Sequence, residues 1–89
     1  MLFISIFTYE PEIRDTVLKR RGESLFTPEN AKCLGQWSYT GGGKVFTLFE
    51  VDNPLVLAQW AHAWSDLGKF ESFPVIDTEE LMNAMKDMK

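Results

Sequence analysis

The chain of 89 residues carries a single cysteine, Cys33, and a single histidine, His62. One cysteine excludes an internal disulfide and any metal site built on a cysteine cluster. It fits a reducing, cytoplasmic setting. One histidine leaves only carboxylates to complete a histidine-based metal site, so no metal and no cofactor is expected. No apolar run approaches the roughly 20 residues of a membrane span, so no membrane role is expected. The apolar start, Met1 to Tyr9, lacks a basic leader and a small-residue cleavage site and does not read as a signal peptide. Positive charge is also scarce. Nine Lys and Arg face thirteen Asp and Glu, a formal net charge of −4. That balance argues against a nucleic-acid partner held by phosphate contacts. No segment repeats, and none is low in complexity or reads as a linker.

What is present describes a folded domain. Hydrophobic residues make up 45% and charged residues 25%, the balance of a globular chain. The length fits one domain over 1–89. A folded monomer of this mass exposes roughly 5,300 Å², and burying about two-thirds of the open chain's surface gives a modest core.

The order of elements carries the fold. Leu2 to Tyr9 is β-branched and aromatic, a strand ended by Glu10 and Pro11. Glu12 to Gly22 places Ile13, Val17 and Leu18 at helical spacing. Lys19, Arg20 and Arg21 fill its last turn, and Gly22 is the stop. Leu25 and Phe26 are expected to plug the core edge, and Pro28 to open a short helical turn. Lys32 to Thr40 reads as a strand, Gly41-Gly42-Gly43 as a hairpin turn, and Lys44 to Val51 as the return strand. Asp52-Asn53-Pro54 opens a helix to about Leu67, with Leu57, Trp60, Ala61 and Trp64 on one buried face. Phe70 to Ile76 is a fourth strand, whose Pro74 requires an edge position or a bulge. Asp77 or Thr78 caps a last helix reaching about Lys86. The order β-α-β-β-α-β plus a C-terminal helix is the α+β, ferredoxin-like pattern, a four-stranded antiparallel sheet with two helices on one face.

The second face of that sheet is a problem. A wet face should alternate apolar with polar residues. Here Leu2, Ile4 and Ile6 form one set, and Phe3, Ser5, Phe7 and Tyr9 the other. In the third strand Val45, Thr47, Phe49 and Val51 oppose Phe46, Leu48 and Glu50. Two short helices cannot cover both sets. At about 25 cal/mol per Å², three or four wet large side chains forfeit several kcal/mol. A second copy of the chain, forming a homodimer through the open sheet face, is the simplest cover. The plainer alternative is a C-terminal helix folded back over that face.

The strand-helix opening, the Trp37 strand, the glycine turn and Phe-Thr-Leu-Phe-Glu-Val-Asp-Asn-Pro (46–54) carry a resemblance. So do Leu57, Trp60, Trp64, Asp66-Leu67, Phe70-Glu71 and Pro74-Val75. Over most of its length the chain resembles a prokaryotic family of small proteins called domain of unknown function 3303, placed with the dimeric α+β barrels. The resemblance implies a ferredoxin-like protomer whose sheet pairs with a second protomer's around an internal cavity. Better-known members of that superfamily include cofactor-free quinone-forming monooxygenases, haem-degrading enzymes, muconolactone isomerases and stress-responsive barrels. The family supplies no catalytic residues to carry over, and its motifs mark fold rather than chemistry. Gly22-Glu23-Ser24-Leu25-Phe26 does not align with the pattern.

Candidate site residues follow from the strands. Tyr9 and Trp37 are candidates to line a pocket for a planar ligand, with Ser5, Phe7, Phe46 and Leu48. Trp60 and Trp64, at helical spacing, read as core. Glu50 shares a side of its strand with Phe46 and Leu48, and in a cavity its partly desolvated carboxylate suits a general base. The plainer reading is an end-of-strand residue in solvent. His62 is the other candidate acid or base, although its helix position puts it off the buried face. Ser5 with Glu50 lacks the third partner of a triad. The three glycines before Lys44 lack the spacing and the following helix of a phosphate loop. Lys19-Arg20-Arg21 reads as a solvated helix end, and Cys33 as an inert thiol.

Three functions are consistent with these residues. One is a dimer that binds a small apolar or aromatic ligand or serves structurally. Another is a cofactor-free oxygenase- or isomerase-like enzyme using Glu50 or His62, with Tyr9, Trp37 and Phe46 holding an aromatic substrate. The third is a regulatory module that binds a protein partner through an acidic surface. Fold analogy alone does not choose among them.

Overall fold

Among the described residues the chain forms four strands and three α-helices. The computed structural model describes residues 1–23 and 31–88, with the side chains of all but 21–23. β1 is Leu2–Thr8, α1 Arg14–Glu23, β2 Ala31–Ser38, β3 Lys44–Val51, α2 Leu55–Trp64, β4 Lys69–Val75 and α3 Thr78–Met85. The expected roles of Leu25, Phe26 and Pro28 lie outside the described residues.

Local chemistry accounts for the boundaries. Pro11 opens a short 3-10 turn, Pro11–Ile13, that leads into α1. The helix passes the expected stop at Gly22 by one residue. In the β2–β3 turn Gly42 and Gly43 take φ of 81° and 85°, a region that side chains rarely tolerate. Asn53 accepts a hydrogen bond from the Leu55 N–H at 3.0 Å and so starts α2. Asp77 caps α3 by accepting from the Glu80 N–H at 3.1 Å.

All four strands pair antiparallel in the order β2-β3-β1-β4. This is the ferredoxin-like α+β arrangement read from the element order. Pro74 sits on the edge strand β4, where its missing N–H breaks no ladder between two neighbours. β2, the other edge, carries a bulge between Cys33 and Gly35.

The core lies between one sheet face and the helices. Phe3 and Phe7 of β1, and Val45, Phe49 and Val51 of β3, are buried there with Val17, Leu57, Trp60, Trp64 and Leu67. Aromatic rings meet edge-on, Phe49 against Trp60 at 4.7 Å and Phe7 against Trp64 at 5.5 Å. Such contacts add to simple area burial. α1 contributes less than its spacing predicts. Val17 is buried and Ile13 packs against the core, but Leu18 is exposed. Arg20 ties α1 to the end of α2: its guanidinium donates to both carboxylate oxygens of Asp66 at 2.7 and 2.8 Å and lies over the Trp64 ring. The Asp66 carboxyl is held below its ordinary range, chiefly by that hydrogen bond.

α3 stands apart. None of its residues is buried, so it does not fold back over the sheet. The chain spans 52 × 28 × 17 Å, and its radius of gyration is 15.2 Å, above the about 12 Å of a compact chain of this length.

Candidate binding face

Register decides which side chains share the uncovered face. Directly opposed residues of paired strands point to the same side. Crossing the sheet from β2 to β4, one row is Trp37, Phe46, Ile6 and Glu71. The next is Gly35, Leu48, Ile4 and Phe73. The third is Lys32, Glu50, Leu2 and Val75. At the other end Lys44, Thr8 and Lys69 close the face. The centre is apolar and the charges sit at its margins.

These side chains are accessible. Ile4, Ile6, Phe46 and Leu48 are half-buried by their neighbours, while Trp37 is 56% and Phe73 44% exposed. The Trp37 indole lies over Gly35: a Cβ there would come within 2.5 Å of the ring. Glycine thus lets the indole lie down on the sheet. A contiguous apolar area of this kind is unusual on a monomer's surface.

A cleft of about 650 Å³ opens at the far end of the face. Leu2, Glu50 and Val75 form one wall, and Asp77 and Glu80 at the base of α3 form another. α3 therefore rises on the uncovered side of the sheet. A smaller groove of about 240 Å³, on the helical side, runs between α2 and β4 past Leu57, Ala61, Phe70 and Ser72.

The six ligand candidates divide between the two faces. Trp37, Phe46 and Leu48 come together on the uncovered face. Ser5 and Phe7 do not join them, because their β1 parity turns them into the helical core. The Ser5 hydroxyl is hydrogen-bonded to that of Ser72 at 2.8 Å, which satisfies a buried polar group without a ligand. Tyr9 packs half-buried against the core beside Phe7, with ring centroids 5.7 Å apart. The single pocket expected of all six is not formed.

The two candidate acid–base groups are also separated. Glu50 is exposed at the end of the uncovered face. His62 is exposed on α2, in the layer on the other side of the sheet. No three His, Cys, Asp or Glu side chains among the described residues are grouped to hold a metal. Among those residues no helix is long and apolar enough to cross a membrane.

Ile4, Ile6, Phe73 and Val75 belong to the face although they were not candidate site residues. Their signal was the second apolar set in β1, Leu2, Ile4 and Ile6. Nothing in that set singled out individual residues as a site.

This sheet, with two helices on one side and an apolar surface on the other, defines a ferredoxin-like α+β protein with an open face. The chain belongs to the family described as Domain of unknown function (DUF3303), which matches residues 1–89. No curated protein and no solved structure gives a significant match.

Proposed function

We propose that the chain works as a homodimer that closes its open sheet face on a second copy and holds a small apolar or aromatic molecule in the space between. The observation that supports this reading is the apolar centre of that face, built from Trp37, Phe46, Leu48, Ile4, Ile6 and Phe73. A second copy supplies the same surface and is always at hand. The chain alone exposes 6487 Å², about a fifth above the roughly 5,300 Å² expected at this mass. Aromatic and branched side chains without central polar groups suit an apolar ligand and offer little for orienting a charged one. Binding is preferred to catalysis because the two candidate acid–base groups, Glu50 and His62, lie on opposite sides of the sheet.

Sedimentation equilibrium with native mass spectrometry tests this function. A dimer that retains a small molecule, or that takes up an added aromatic probe such as anilinonaphthalene sulfonate with saturable fluorescence, supports it. A monomer at every concentration overturns the dimer. A dimer that takes up nothing overturns the ligand and leaves a structural dimer.

A further inference from the structure

α3 is well built, yet every one of its residues is exposed. Asp77 caps it, and the Leu81 N–H bonds back to the Asp77 carbonyl at 3.0 Å. Leu81, Met82, Met85 and Met88 fall along one side at helical spacing, and all four are exposed. Glu79, Glu80, Asn83 and Lys86 take the other side. A stripe of this kind is what a helix buries, and an eight-residue helix is marginal in water without such packing. Only Ile76 and Asp77 separate α3 from β4, and Asp77 is extended. The helix is carried away from its own sheet.

The diagonally opposite corner of the uncovered face has the matching need. Trp37 and Tyr39 are 56% and 53% exposed at the end of β2. Each ring lies over a glycine, Trp37 over Gly35 and Tyr39 over Gly41, so flat aromatic surface is presented outward. The charges match as well. Glu50, Asp77, Glu79 and Glu80 make the α3 corner acidic. Lys44, whose carbonyl accepts from the Tyr39 N–H at 3.0 Å, puts a cation at the Trp37 and Tyr39 corner, whereas Lys69 lies on the β4 edge, paired with Glu71 at 3.8 Å.

We propose that α3 is an arm exchanged between two copies, its Leu81–Met82–Met85 stripe packed on Trp37 and Tyr39 of the second copy. The inference rests on the dimer reading above and specifies its geometry. A two-fold axis lying between the sheets sets the α3 corner of each copy on the Trp37 corner of the other, and itself runs through the Lys32 and Lys69 corners. It crosses the strands steeply, in the orthogonal class of sheet packing. Thioether sulfur on aromatic rings is a favourable contact that adapts to irregular surfaces. The area supports an arm. A face of four strands and about 20 Å of strand length presents roughly 400 Å², half of the about 800 Å² per partner of a standard interface. One arm given and one received, each about 12 Å long and 10 Å wide, add roughly 240 Å².

Two measurements on the full chain test the arm. The first is the dimer dissociation constant of Leu81→Glu and Met85→Glu. Both residues are exposed in the protomer, so its folding is not at stake. The expected result is a weakening of at least tenfold, about 1.4 kcal/mol. The second is isotope-filtered NMR on dimers mixed from methionine-methyl-labelled and unlabelled chains. Contacts from Met82 or Met85 methyls to the Trp37 and Tyr39 rings of the unlabelled copy are expected. A wild-type dimer whose affinity is unchanged by both variants, or whose methionine contacts stay within one chain, overturns the arm and leaves the dimer reading intact. A wild-type monomer overturns both.

Discussion

The two faces of this sheet are made from similar side chains and meet opposite fates. On one, Phe3, Phe7, Val45, Phe49 and Val51 are sealed beneath α2 and α1. On the other, Ile4, Ile6, Phe46, Leu48, Trp37 and Phe73 are left accessible. Apolarity does not distinguish them, since alternate residues of β1 and β3 supply both. What differs is the partner. The covered face meets the indoles of Trp60 and Trp64 edge-on, and among the described residues no helix packs over the centre of the uncovered face. Substitutions on the covered face should therefore act on folding, and those on the uncovered face on association.

The largest break in that comparison should come from Phe49→Ala. Phe49 is fully buried against Trp60, and truncation should cost about 3–5 kcal/mol in chemical denaturation, enough to unfold much of a small domain. Two glycines sharpen the contrast. A Cβ on Gly68 would collide with the Thr8 carbonyl and the Phe7 ring beneath the helices, neither free to move. Gly68→Ala should lower stability by about 1–3 kcal/mol. Gly35→Ala collides only with the exposed Trp37 indole, which can swing aside. Its stability should change by less than about 1 kcal/mol, while Trp37 fluorescence and dimer affinity shift.

Phe46→Lys tests the uncovered face directly. The monomer fold should persist by circular dichroism while the sedimenting mass halves. A loss of fold comparable with that of Phe49→Ala would show that both faces stabilise the protomer. The smallest effect is expected at the Arg20–Asp66 pair. Because the folded Asp66 carboxyl lies below its ordinary range, its contribution is complete above that range and is lost as pH falls through the folded value. In thermal melts, Asp66→Asn should slightly lower stability near neutral pH. It should also flatten the decline between the ordinary carboxylate range and more acidic pH. The pair is solvent-accessible, so the effect should be small and weaker in high salt.

Much of the fold was legible because its signals are local. Glycines reaching positive φ fixed the β2–β3 hairpin, and Asn53-Pro54 opened α2 within a residue of the expected position. Pro74 predicted an edge and found one. Leu57, Trp60 and Trp64 were readable as the buried face of α2 from their spacing alone. The two apolar sets of β1 and β3 were equally visible.

The binding face was only half legible. The sequence pattern brings Phe46 and Leu48 together with Trp37, but it also suggests Ser5 and Phe7, which parity turns to the other side. In β2, Cys33 pairs with Phe49 of the covered face, whereas Gly35 and Trp37 pair with Leu48 and Phe46 of the uncovered one. Residues spaced by two should share a face; the bulge between Cys33 and Gly35 breaks that rule and delivers Trp37 to the open side.

By itself the sequence determined the element order, the turns, the sheet's antiparallel character and the surplus of apolar side chains over what two helices can cover. These follow from backbone preferences and side-chain periodicity, which act over a few residues. Tertiary structure alone decided which apolar set goes under the helices, where Trp37 lies and that α3 leaves its own sheet bare. Those outcomes depend on cross-strand register and on packing between elements far apart in the chain, and near-equal hydrophobicity of the two β1 sets left no local signal to foretell them.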